Sequence, residues 1–136
     1  MLLEEMRGYI IAGIGECPPV YLEWMPEDGT EAVLLVEYGS VEARGASGGR
    51  SGAVGYGLWT RKIRVMVRHS KAREALRLCN GIHALLSGSG GEDGVLEISP
   101  GRRAVVRLRG LPLHMRGGDG GAFVYGFGVA VHTFGD

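Results

Sequence analysis

The fold class is decided by residues 59–88, which read WTRKIRVMVRHSKAREALRLCNGIHALLSG. The first half alternates between apolar and mostly basic residues, which is the period-two pattern of a strand. The apolar side holds Trp59, Ile63, Val65 and Val67, and the other side holds Thr60, Lys62, Arg64, Met66 and Arg68. The second half repeats apolar residues every three or four positions from Ala72 to Leu86, as an amphipathic helix does. We therefore predict a strand that runs directly into a helix, with Ser70 capping the helix.

Weaker patterns on both sides of this unit complete the expected architecture. Apolar residues spaced by three or four predict a helix over the first dozen residues, ending near Gly13. Further strands are predicted at 20–25, 32–38, 95–98, 104–109 and 123–133. This order predicts an α+β fold: a sheet of four or more mostly antiparallel strands with two helices packed on one face, plus an extended loop or hairpin.

The chain length of 136 residues suits a single domain over residues 1–136. Glycine gathers in 43–55 and 87–94, and we expect both segments to be flexible loops because they offer little apolar surface to bury. No apolar run approaches the roughly 20 residues that span a bilayer, so we expect a soluble protein.

Residues that could carry chemistry do not form a recognisable pattern. Cys17 and Cys79 have no partners at metal-ligand spacing, and the four histidines are scattered. Gly45, Ser47 and Gly49 match the nucleophile elbow of hydrolases, but no helix follows them. We therefore expect no catalytic residue, no metal site and no cofactor, and we predict that the protein is not an enzyme.

The charges of the chain cancel in total but not in place. Residues 1–42 carry nine acids and the single base Arg7, whereas residues 43–116 carry fourteen bases and four acids. A subunit with an acidic and a basic portion can bind copies of itself head to tail and close a ring. The alternative is that the two portions interleave in three dimensions and the field vanishes.

This charge split nominates interface residues and leaves a second function open. The expected subunit interface comprises Arg61, Arg64, Arg68, Arg73 and Arg77 together with Glu23 and Glu37. Arg44 and Arg50, in the first glycine-rich loop, are expected to contact an acidic partner. The alternative is a nucleic-acid-binding α+β module, although the basic side of the strand offers no stacking aromatic beyond Tyr56.

Residues 62–88 resemble the minor capsid and tail-terminator proteins of tailed bacteriophages, in which a strand ending in Val-Arg leads into a helix with an Ala-rich start and an Ile-x-x-Leu-Leu-x-Gly end. The resemblance extends to a Gly-Pro-like turn at RGLP (109–112), a Gly-and-Asp loop at GGDGG (117–121) and an aromatic final strand at FVYGFGVAV (123–131). It rests on packing and turn residues.

The resemblance implies a structural virion protein whose hexameric ring caps the tail tube and joins it to the head. The implied partners are further copies of the chain, the tail tube protein and the head connector or stopper protein, with DNA passing through the lumen without specific recognition. The implied location is the head–tail junction of the virion, and the host cytoplasm during assembly. Another head-tail completion or connector protein from the same junction would share the ring and stays an alternative.

Overall fold

The computed structural model describes residues 2–26, 31–43, 58–88, 94–117 and 122–134. The elements are, in chain order, α1 (Leu2–Gly13), β1 (Val20–Leu22), β2 (Ala32–Ala43), β3 (Leu58–His69), α2 (Ala72–Ser87), β4 (Val95–Ser99), β5 (Arg102–Gly117) and β6 (Phe123–Phe134). The two predicted flexible loops fall mostly outside the described residues. Arg44, Arg50, Tyr56, the elbow-like motif at 45–49 and most of the Gly-and-Asp loop also lie outside them.

The strands form one curled, mixed sheet of six in the order β1-β2-β3-β6-β5-β4. Only β1 and β2 are parallel, and every other neighbouring pair is antiparallel. The predicted α+β class and the mostly antiparallel sheet of four or more strands are confirmed. At the centre, β3 pairs with β6 in one unbroken register from Leu58 opposite Phe134 to His69 opposite Phe123.

One hydrophobic cluster unites both helices with all six strands. Its fully buried side chains include Leu2, Met6 and Ile10 of α1, Ile82 and Leu86 of α2, Val33 and Leu35 of β2, Ile63, Val65 and Val67 of β3, and Val129 and Val131 of β6. Helix α1 contacts β1, β2 and β4, and α2 contacts β3, β5 and β6. Burying a side chain of this size stabilises the fold by about 1.5–3 kcal/mol, so the periodic apolar residues of the sequence supply the core.

The start of α2 differs from the prediction. The residue at the N-cap is Lys71, in an extended conformation and without a side-chain cap, so the prediction that Ser70 caps the helix was wrong. The Lys71 backbone N–H instead donates to Nδ1 of His69 at 3.0 Å. The imidazole that ends β3 thus satisfies a backbone donor at the junction between strand and helix.

Strand β5 is longer than predicted and contains no chain-reversing turn at 109–112. The chain continues as one strand through this segment, with a register shift between Arg109 and Leu113 and a positive φ of 110° at Gly110. The Gly110 carbonyl, which lies in this irregular part of the ladder, accepts a hydrogen bond from Nε2 of His83 on α2 at 2.9 Å. A long-range side-chain contact therefore supports an irregular strand where the Gly-Leu-Pro sequence predicted a turn.

We predict that Gly126→Ala lowers the free energy of unfolding by about 1–3 kcal/mol through overpacking. A methyl group at Gly126 would lie 2.8 Å from the Val65 carbonyl oxygen and 2.7 Å from the Met115 sulfur. The matched control is Gly8→Ala at an exposed position of α1. Nothing lies within 4 Å of a Cβ there, so alanine should raise the free energy of unfolding by up to about 1 kcal/mol. Urea denaturation measures both variants, and equal effects would contradict the packing constraint.

Candidate functional site: the outer face of the sheet

We call the side of the sheet that points away from the core cluster the outer face. Residues in register on neighbouring strands share a face, so the alternation in β3 assigns the other strands as well. Among the described residues the outer face carries Lys62, Arg64 and Arg68 of β3 and Arg103, Arg107 and Arg109 of β5, with Glu97 of β4 as its acid. The acidic and basic portions of the chain do not interleave on this surface.

The bases flank a strip without long side chains along β6. Lys62, Ala130 and Arg107 lie on one register line, and Arg64, Gly128 and Arg109 lie on the next. Because neighbouring strands are about 4.8 Å apart, the flanking Cα atoms stand roughly 10 Å from each other across the strip. None of the ion pairs among the described residues includes these four bases. The strip is therefore a shallow trough flanked by positive charges that have no ion-pair partner in the described parts of the chain.

Tyr38 places an aromatic ring on this same surface. Alternation from Val36, which lies opposite Arg64, places Tyr38 on the outer face, and a register shift between Glu37 and Gly39 keeps Gly39 on that face as well. The Arg64 guanidinium lies 4.9 Å from the ring centroid, and the Tyr38 hydroxyl comes within 3.3 Å of the position of a Cβ on Gly128. Sequence reasoning missed this residue; the glycine that follows it inside a strand was the available signal of a bulge.

Apolar side chains accompany the bases near the irregular part of β5. Leu113 is 69% exposed and Met115 is 41% exposed. Leu113 lies opposite Gly126 on the outer face, and the Met115 sulfur lies above the same glycine beside Met66. The outer face thus combines arginines with exposed leucine, methionine and tyrosine side chains.

His132 reports the electrostatic character of the trough. Its Nδ1 lies 2.9 Å from the Thr60 hydroxyl oxygen, on the strands that form the trough. Burial lowers the pKa of His132, and the positive charge of Arg107 lowers it further. The imidazole is therefore held neutral at pH values where an unperturbed histidine begins to protonate.

The structure distributes the predicted interface residues over several surfaces. Arg64 and Arg68 lie on the outer face, where Arg68 is only 7% exposed. Two of its guanidinium nitrogens are buried without a partner among the described residues. Arg73 and Arg77 are exposed on α2, and Arg77 pairs with Glu74 at 3.6 Å. The β5 arginines on the outer face were missed because only the strand order reveals that β5 is close to β3.

Arg61 and Glu37, two more of the predicted residues, pair with each other on the core side of the sheet. Arg61 Nη1 lies 3.7 Å from Glu37 Oε1, and its guanidinium carbon lies 5.6 Å from the centre of the Trp59 ring. Glu23 lies nearby, since its carboxylate accepts a long hydrogen bond of 3.5 Å from the Glu37 backbone N–H. These residues thus form a local cluster inside one subunit.

A groove lies between α1 and the edge strand β4, and the acids on its α1 side are Glu4 and Glu5. It is lined by Glu4, Glu5, Gly8, Tyr9, Ala12, Glu97, Ile98, Ser99 and Pro100. Glu5 is compensated internally, because its carboxylate lies 3.2 Å from Arg102 and accepts a hydrogen bond from the Ser99 hydroxyl at 2.7 Å. Glu4 is exposed and enters no ion pair among the described residues, so it leaves negative charge at the surface.

The thiols and histidines of the described residues are placed as packing and hydrogen-bonding groups. Cys79 is fully buried, and burial raises its pKa to about 12. His69 contacts Glu31 at 3.3 Å, while His83 packs edge to face on Phe127 at 4.9 Å. In the part of the chain that the structure describes, no group of three or more His, Cys, Asp or Glu residues could hold a metal ion, and neither helix could cross a membrane.

Comparison with known proteins does not assign a family. No protein-family model matches the chain, and a search of curated proteins finds no similar sequence. A function must therefore be inferred from the geometry and charge of the outer face and of the groove beside α1.

We predict that His132→Gln flattens part of the pH dependence of stability. Because folding lowers the pKa of His132, the unfolded chain binds its proton more readily, so this group costs stability as the pH falls below about 6.5. Urea denaturation between pH 8 and pH 5 should show wild type losing more stability than the variant, in which an amide can still bond Thr60. Parallel curves would contradict the burial of a neutral imidazole.

Proposed function

We propose that the protein is a ring-forming structural subunit of a phage virion, a tail terminator that caps the tail tube and joins it to the head connector. The observation that carries this proposal is that the unpaired charges of the described residues differ in sign between two surfaces of one subunit. The outer face is basic except for Glu97, and the groove between α1 and β4 carries the unpaired Glu4. Complementary surfaces at different places on a subunit favour a heterologous contact, which closes a ring when the rotation permits.

The order of elements supports this proposal. A first helix, a long hairpin, a second helix and a three-stranded meander follow the order that the resemblance to tail-terminator proteins implies. In the proposed subunit both helices cover one face of the sheet, which leaves the opposite face for a neighbour. Hydrophobic packing of α1 and α2 into the same core cluster agrees with that arrangement.

The proposed ring is a hexamer at the head–tail junction, with further partners at its two ends. Strands β2 and β3 are each 12 residues long, and the segment that joins them holds Arg44 and Arg50. We assign these two arginines to contacts with the tail tube or the head connector, because charge-assisted hydrogen bonds to carboxylates are the strong contacts such a segment can make. DNA passes through the lumen without specific recognition.

The second candidate function is nucleic-acid binding. It is favoured by Tyr38, which stands on the same surface as the outer-face arginines and is 46% exposed. Single-stranded nucleic acids bind surfaces that combine basic grooves with aromatic rings. The guanidinium of Arg64 already lies over this ring, which leaves less of it for a base. A head-tail completion or connector protein is a further candidate, because it shares the ring.

The proposed function predicts that the purified chain binds one end of tail tubes assembled from the tube protein encoded beside it. Negative-stain electron microscopy should show added density at tube ends, because assembled tubes present a template that free subunits lack. Decoration along the tube walls, or none, would contradict the proposal.

Retention on DNA-cellulose distinguishes a tail terminator from the second candidate, a nucleic-acid-binding module. A nucleic-acid-binding module that makes 6–10 phosphate contacts loses roughly 10³–10⁵ in affinity between 50 and 200 mM salt. A tail terminator should pass through the column at both concentrations and still cap the tubes.

A further inference from the structure

We propose that the outer face of one subunit binds the α1–β4 groove of a second copy, in a head-to-tail contact repeated around the ring. This inference rests on the proposed ring and names the two surfaces that meet. The central residues on the basic side are Arg64 and Arg109, and the central residue on the acidic side is Glu4.

Some charged side chains of the subunit are already paired within it, and others are not. Glu37 pairs with Arg61, and Glu31 lies 3.3 Å from His69, so these two acids each have a neighbouring basic side chain within the subunit. Glu4 enters no ion pair among the described residues, and neither do Arg64 and Arg109. Glu4 at the groove and the bases of the trough are therefore charges of opposite sign that have no ion-pair partner among the described residues.

The composition of the outer face resembles that of a protein–protein interface. Among the side chains that the structure describes, it presents five arginines and one lysine beside Tyr38, Leu113 and Met115. Arginine, tyrosine and methionine are enriched in protein–protein interfaces, whereas lysine is depleted. A phosphate-binding surface gains nothing from exposed leucine and methionine, but a protein neighbour buries them and strengthens the adjacent ion pairs by excluding water. The composition therefore favours a protein occupant over a nucleic acid.

The groove beside α1 is lined in part by small residues. Gly8 and Ala12 line it, and nothing lies within 4 Å of the position where a Cβ on Gly8 would stand. Small residues on this side of α1 let the side chains of a neighbour approach the helix closely. The groove is formed by α1 and β4 and the trough by β3, β6 and β5, so each copy can use both surfaces at once. A contact of this kind is heterologous and can propagate around a ring.

The experiment uses two full-length variants, each of which disables one surface. Arg64→Glu with Arg109→Glu reverses the charge of the outer face, and Glu4→Lys reverses the unpaired acid of the groove. The matched control for the outer-face variant, Arg73→Glu with Arg77→Glu, makes the same change in net charge on the exposed side of α2. Circular dichroism and urea denaturation establish that each variant is folded.

Sedimentation velocity across a concentration series measures assembly of the free chain. If the free wild-type chain stays monomeric, the same series is measured with tail tubes added. Each surface variant alone should need about tenfold or more higher concentration than wild type to assemble, because truncating close charge pairs at an interface typically has at least this effect. The control should assemble as wild type does. The equimolar mixture of the two surface variants should form dimers and nothing larger, because only one competent pair of surfaces remains. That arrest at the dimer is the signature of a head-to-tail contact.

Each other outcome overturns the inference. Normal assembly of the outer-face variant would show that subunits meet elsewhere, and a control that fails equally would show a general effect of net charge. Loss of DNA retention with normal assembly would assign the outer face to nucleic acid. If the wild-type chain and both surface variants cap tubes equally well, the proposed function stands and only the contact is refuted. A wild-type chain that neither assembles nor caps tubes contradicts both.

Discussion

The unbroken register between β3 and β6 is the constraint on which the rest of the structure depends. Twelve residue pairs join the β1-β2-β3 part of the sheet to the β6-β5-β4 part. Because side chains alternate across a strand, the same register sets both faces. Val65 opposite Phe127 goes to the core, while Arg64 opposite Gly128 goes outward. A slip of one residue would bury the arginines and expose the valines, so the core and the charged face are specified together.

A face that gathers six bases is costly for an isolated subunit. Like charges on neighbouring strands repel one another, and no acid of β2 or β6 lies among them on this face. Arg68 adds the cost of a guanidinium that is almost fully buried with two nitrogens unpaired among the described residues. A neighbour that brought carboxylates to this face would remove the repulsion.

The parts of the fold that were predictable are those in which local and global preferences agree. The strand and helix of residues 59–88 carry strong periodicity, and the structure places β3 and α2 there with the apolar residues buried. The strand predicted at 104–109 lies within β5, but its predicted end was wrong because Gly110 and Pro112 favour a turn locally. His83, 27 residues away, supports the irregular strand through the Gly110 carbonyl, and no local pattern reveals such a contact. The candidate site was half predictable for the same reason: alternation in β3 identified Arg64, whereas Arg107 and Arg109 reach this surface only through the 3-6-5 strand order.

The lengths of the strands have a consequence for how copies of the chain can associate. The edge strands are the shortest in the sheet, three residues in β1 and five in β4, while the four inner strands have 12 to 16 residues. These edge strands cover only part of their neighbours, because β1 pairs with residues 33–35 of β2 and β4 pairs with residues 102–105 of β5. Among the described residues, the rest of β2 and of β5 therefore presents backbone groups at an edge of the sheet without a paired strand. Unpaired edges of this length are the places where a strand of another chain can add. Uncontrolled association of this sheet would thus begin along β2 or β5, through backbone hydrogen bonds.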